Sequence, residues 1–180
     1  MSEAEQLRGR AAPPLQLPDT AGDVRALPAG PAEAAATVVF WTCNHCPYAL
    51  AWQDRLVDVA NDYAERGVRV LAVNSNDAER YPADGPEAMR ERVERERWPF
   101  PFLFDESQEV ARAWGAKTTP HLFVLDPEQR IVYEGAPDAD YEDPGQDAAW
   151  LREALDAVLA GREPERAETE PVGCSIKWRS

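Results

Sequence analysis

Lysine is almost missing from this chain: of its 19 basic residues only Lys117 and Lys177 are lysine, against 33 acidic side chains, for a net charge of −14. A surface of that sign repels phosphate backbones and anionic lipid headgroups, so nucleic acid and membranes are not expected partners. An acidic, lysine-poor composition is expected of a salt-rich habitat, and equally of a GC-rich genome. No apolar run approaches the ~20 residues of a membrane helix. The opening Met1-Ser2-Glu3-Ala4-Glu5-Gln6-Leu7-Arg8 lacks a basic n-region and an apolar h-region, so no signal peptide is expected. The expected location is the cytoplasm. Cysteine is scarce as well: three residues in a reducing compartment do not make a disulfide framework. A Cys-x-x-Cys pair in that setting points to redox or metal chemistry instead.

What is present suits one compact domain. The chain has 180 residues, 44% of them hydrophobic, enough for a single core. Residues 1–36 read as an N-terminal extension rich in Ala, Pro and Gly, with a short hairpin between Leu15–Asp19 and Val24–Leu27. Residues 37–161 read as the domain proper. Thr37–Trp41 is a buried strand by its β-branched and aromatic content. Pro47–Glu65 is a helix with Leu50, Leu56, Val57, Ala60 and Tyr63 on its apolar side, stopped by Gly67. Val68–Val73 is a second strand, leading into the polar loop Asn74–Asp77. Tyr81–Pro86 is a loop, and Pro86 opens a helix to about Arg97 whose Glu and Arg residues indicate a solvated face. Phe102–Asp105 is a short strand, and Ser107 is placed to cap a helix over 108–114 that Gly115 closes. His121–Asp126 and Arg130–Glu134 form a hairpin, and 147–160 is a final amphipathic helix. Residues 162–180 are a tail carrying Cys174. This order implies an α/β fold, a mixed sheet flanked by helices, with strands 37–41 and 68–73 parallel and adjacent.

The chemistry is expected at Cys43-Asn44-His45-Cys46-Pro47, between a buried strand and the start of a helix. Free N–H groups and the helix dipole there favour a thiolate, which is expected on Cys43. Two intervening residues let Cys46 reach it as the resolving thiol. His45 either stabilises that thiolate or is merely an exposed residue beside it, and Pro47 suits the first helical turn. A metal set of Cys43, Cys46, His121 and Cys174 is an alternative, as is a pair of inert buried cysteines.

Phe40-Trp41-Thr42-Cys43-Asn44-His45-Cys46-Pro47, Thr118-Thr119-Pro120 with the strand after it, and Phe104–Ser107 through Ala113-Trp114-Gly115 together resemble the thioredoxin-like superfamily. Within it they resemble the redoxin (AhpC/TSA-like) and TlpA/ResA-like branch, over roughly residues 12–160. The resemblance implies a thioredoxin-like fold, no cofactor and a thiol–disulfide oxidoreductase. It implies catalytic Cys43 and Cys46, supported by His45, Pro47, Trp41, Thr119 and Pro120, with a cis Thr119–Pro120 bond facing the cysteines. Substrates would be protein or small-molecule disulfides and thiols, served by an unidentified reductant or oxidant. The chain departs from its relatives in proton handling. The acid that thioredoxin carries before its first cysteine is Thr37 here, and the acid of ResA-like proteins is Ala49. His45 or a water is expected to serve. Peroxiredoxins carry Pro-x-x-x-Thr-x-x-Cys, and on Cys46 that register puts Cys43 at the threonine and Val39 at the proline. Peroxide reduction is therefore the alternative, as is a metal- or copper-handling module on the same fold. Cys174, in Gly173-Cys174-Ser175-Ile176-Lys177-Trp178, is a candidate third thiol or the buried anchor of a docked tail.

Overall fold

The computed structural model describes residues 9, 11–27 and 34–180. The expectation drawn from residues 1–8 lies outside these. A five-stranded sheet organises the molecule, in the order β5 (Phe102–Phe104), β4 (Val68–Asn74), β3 (Ala36–Trp41), β7 (His121–Leu125), β8 (Ile131–Gly135). β3 and β4 are parallel, as are β4 and β5, while β7 and β8 run antiparallel to their neighbours. This is the mixed sheet of a thioredoxin-like fold. All six residues of β3 are buried, because helices or loops cover both faces of the central strands.

Side-chain alternation along β3 divides the core in two. Val38 and Phe40 face a cluster supplied by α1 (Pro47–Tyr63), α2 (Pro86–Glu96) and α4 (Ala149–Leu159). Val39 and Trp41 face the opposite cluster, built from the hairpin β1 (Leu15–Pro18) and β2 (Val24–Leu27), α3 (Glu109–Trp114) and the tail residue Ile176. Leu15, Leu17 and Leu27 are buried there, so the hairpin lies on the sheet. Trp41, Trp114 and Phe123 meet in tilted and edge-on contacts with centroids 5.4–5.7 Å apart. Phe123→Ala removes the shared ring of this group and should cost about 3–5 kcal/mol, read as a lower urea midpoint.

Two local expectations need correction. Leu50 is 46% exposed, and α1 instead buries Ala49, Trp52, Gln53, Arg55, Leu56, Val59, Ala60 and Tyr63. Arg55 is buried because Asp138 neutralises it at 2.9 Å while the carbonyls of Asp140, Tyr141 and Asp143 accept from its Nη1 and Nη2. The face of α2 is mostly solvated, but Met89 and Arg92 turn inward. At the start of α3 the Ser107 hydroxyl takes the Glu109 N–H at 3.3 Å, as expected of a cap, and the buried carboxylate of Asp105 takes the Ala111 N–H at 2.9 Å.

Candidate functional site

β3 ends at Trp41, and α1 does not begin until Pro47. The intervening loop carries both thiols. Cys46 is the N-cap residue (φ −81°, ψ 123°), and Cys43 lies three residues before it. The positive end of the helix therefore lies nearer Cys46 than Cys43, which was not foreseen. The whole residues are 1% and 0% exposed for Cys43 and Cys46.

The Thr119–Pro120 bond is cis, and Thr119 faces both sulfurs. Its hydroxyl lies 3.5 Å from Cys43 Sγ, and its carbonyl accepts from Cys46 Sγ at 3.1 Å when that thiol is protonated. When Cys46 is ionised, donors converge on it. The Cys43 S–H lies foremost among them, followed by the Cys174 S–H, the Thr119 hydroxyl and the Ala49 N–H in the first turn of α1. They outweigh burial and draw Cys46 down to about 4. Cys43 is pushed far up, because it holds the proton it donates to Cys46, is buried, and faces the charge of Asp84. The two thiols titrate as a pair, and the N-cap position of Cys46 favours the negative charge there.

Asp84 is the member of the site that the sequence did not disclose. It comes from a 3₁₀ turn, Pro82–Asp84, and is 0% exposed. Its carboxylate accepts the Asn44 N–H at 2.7 Å and Asn76 Nδ2 at 2.9 Å, and it pairs with His45 Nδ1 at 2.6 Å. Asn74 Nδ2 donates to its carbonyl at 2.6 Å. His45 stacks on Tyr81, with centroids 5.5 Å apart and planes 7° from parallel. Arg92 completes the frame from α2: it donates to the Cys43 carbonyl at 2.6 Å and to Asn44 Oδ1 at 2.9 Å, and it also bonds Gln53. A visible signal was the polar run Asn74-Ser75-Asn76-Asp77. It sits at the carboxyl end of a parallel strand, where α/β sheets place their sites, and all four residues are buried.

Trp41 touches neither sulfur; it donates to Ser75 Oγ at 2.9 Å and belongs to the core beneath the loop. Pro47 occupies the first position of α1. His121 lies apart from the cysteines. Its Nε2 is 3.0 Å from Glu134 and its Nδ1 accepts the Lys117 N–H at 3.2 Å, so both nitrogens are committed. The metal set containing His121 does not assemble. The side chains that do converge, with ligand atoms within 4.8 Å of one another, are Cys43, His45 and Asp84. Cys174 packs against the cluster of Cys43, Cys46 and Ala49. Among the described residues, no helix is long and apolar enough to cross a membrane.

Comparison with known proteins places this site in a lineage. The chain is 42% identical to an uncharacterized conserved protein of Geobacillus kaustophilus, over 96% of this chain and 92% of that one, with a TM-score of 0.90. It is 38% identical to a hypothetical protein of Sinorhizobium meliloti 1021, over 94% and 93%, with a TM-score of 0.89. A thiol:disulfide interchange protein DsbE of Chlorobium tepidum shares the fold at 20% identity, over 84% and 97%, with a TM-score of 0.68. No curated protein matches. The profile of the AhpC/TSA family matches residues 8–134, the span that holds the strand, both loop cysteines and the cis-proline. The chain belongs to the AhpC/TSA family, built on the thioredoxin-like fold.

Proposed function

We propose that this protein is a thiol–disulfide oxidoreductase whose working couple is Cys43 and Cys46. The observation that carries the reading is geometric: both sulfurs lie at the start of α1 against Thr119 of the cis peptide bond, Cys43 Sγ 3.5 Å from its hydroxyl and Cys46 Sγ 3.1 Å from its carbonyl. The nucleophile is assigned to Cys46, the N-cap residue at the positive end of α1, in place of the Cys43 expected from the sequence. Cys46 thiolate attacks a disulfide R–S–S–R, forming Cys46–S–S–R and expelling RS⁻, which takes up a proton. Cys43 then gives up its proton and attacks Cys46 Sγ, closing the Cys43–Cys46 disulfide and releasing the second RS⁻. His45 and Asp84 stand beside Cys43 to receive that proton.

The enclosure of both sulfurs supports small substrates over proteins. Reduced protein should turn over hydroxyethyl disulfide at least tenfold faster than it reduces insulin. Equal rates would overturn the size restriction, and failure of both would overturn the exchange reading. One arrangement favours a second reading, peroxide reduction: Cys46 sits at a helix N-cap beside Thr119. Rapid hydrogen peroxide turnover that persists in Cys43→Ser would put that chemistry first.

A further inference from the structure

The tail does not leave the domain. After α4 it runs beside β8, where Thr169 N–H donates to the Glu134 carbonyl at 3.0 Å and its hydroxyl takes the Ala136 N–H at 2.9 Å. It then forms a two-residue strand, β9 (Cys174–Ser175), antiparallel to β6 (Thr118–Thr119), with Cys174 opposite Thr119. Beyond it Ile176 is 2% exposed and donates to the Lys117 carbonyl at 3.1 Å, while Lys177 N–H bonds Asn76 Oδ1 at 2.8 Å. Cys174 is thus fixed from both sides against the edge that a disulfide-bearing segment would otherwise use. The approach is so close that a Cβ on Gly173 would fall 2.2 Å from the Thr119 carbonyl oxygen. Glycine is required here because the backbone itself occupies that space.

Exposure separates the three thiols. Cys43 and Cys46 are closed off, whereas Cys174 is half-buried and reaches solvent. We propose that Cys174 is a third redox thiol, the port through which the buried Cys43–Cys46 couple exchanges with external thiols. The proposal rests on the couple assigned above. In the reducing direction Cys174 thiolate attacks Cys46 Sγ of the Cys43–Cys46 disulfide; the Cys46–Cys174 bond forms, and Cys43 leaves and takes up a proton. An external thiolate RS⁻ then attacks Cys174 Sγ, giving Cys174–S–S–R and restoring Cys46 thiolate. A second RS⁻ releases RSSR and returns Cys174 as thiolate. Two external thiols become one disulfide, and the enzyme disulfide becomes a dithiol. Cys174 packs against the cluster that holds Cys46, and burial together with its interaction with Cys46 pushes its own pKa up to about 11. Cys174 is therefore expected to ionise chiefly as Cys46 gives up its negative charge to the disulfide.

Two measurements on the full chain test this. Cys43→Ser oxidised with diamide should trap an intramolecular Cys46–Cys174 disulfide, identified by mass mapping of an unreduced digest. Gly173→Ala in that background, which drives the strand off Thr119 without removing the cysteine from the chain, should lower the trapped fraction at least fivefold. Cys174→Ser should still close Cys43–Cys46 under diamide, but should be re-reduced by glutathione at least tenfold more slowly than wild type. Absence of the Cys46–Cys174 bond in Cys43→Ser, or re-reduction of Cys174→Ser at or above the wild-type rate, overturns the port. Failure of Cys174→Ser to close Cys43–Cys46 overturns the couple itself, so the two failures are distinct.

Discussion

Cys46→Ser should abolish disulfide turnover, by on the order of 10³-fold or more as for loss of any nucleophile, and should erase the thiolate absorbance at 240 nm of the reduced protein at pH 6. The absorbance readout needs no substrate access, which matters for a sulfur with no exposed surface. In wild type, one thiolate per chain should persist down to about pH 4, where Cys46 titrates. Cys43→Ser removes the leading donor to that thiolate, so its absorbance step should move upward while remaining present. The sign for stability follows. The folded Cys46 pKa is below its unfolded value near 9, so its contribution is full above that value and is lost as pH falls toward about 4. Cys43 is displaced the other way, so its contribution is full below the unfolded value and is lost as pH rises past it. The difference in urea midpoint between reduced wild type and Cys46→Ser should therefore grow from pH 5 to pH 8. A flat difference, or a pH 6 absorbance that survives Cys46→Ser and vanishes in Cys43→Ser, would return the nucleophile to Cys43.

Why the sequence supported the fold but left the charge state of the thiols open is a matter of range. The strand–loop–helix around Cys43-Asn44-His45-Cys46-Pro47 is written in local terms. β-branched residues precede it, a proline opens the helix, and β3 and β4 pair in parallel as a right-handed crossover requires. The hairpin β1–β2 was equally legible from its alternation. The charge state of the cysteines depends on donors brought from elsewhere. Thr119 arrives from 73 residues beyond Cys46, and Asp84 from 40 beyond Asn44. No periodicity marks a lone aspartate in a Pro-Ala-Asp-Gly turn as buried, nor Arg92 as the inward member of a helix otherwise crowded with solvated charge. The tail posed the same problem in reverse. Its apolar Ile176 signalled docking, but the register that sets Cys174 opposite Thr119 exists only once β6 is in place.

Asp84→Asn is the sharper probe of proton handling, because it keeps the shape of the turn and removes only the charge. Two effects of opposite sense are expected. Stability should fall by about 1–3 kcal/mol, as the amide cannot serve all the donors a carboxylate accepts in this buried frame, read as a lower urea midpoint. The Cys43 thiol should ionise more easily, because the Asp84 charge is one of the causes that raise it. The pH profile of Cys43 alkylation in a Cys46→Ser background should therefore shift downward. Turnover should nonetheless decline, since His45 loses its 2.6 Å anionic partner and the closing step loses its proton acceptor. A more acidic thiol with slower closure separates a role in proton transfer from simple electrostatic tuning, under which easier ionisation would speed the same step. Asp84→Ala should be far more costly, about 3–5 kcal/mol, because His45, Asn76 and the Asn44 N–H lose the group that orders them. If Asp84→Asn left both the alkylation profile and closure unchanged, the buried acid would be a structural brace for the loop, and proton transfer from Cys43 would run through His45 without it.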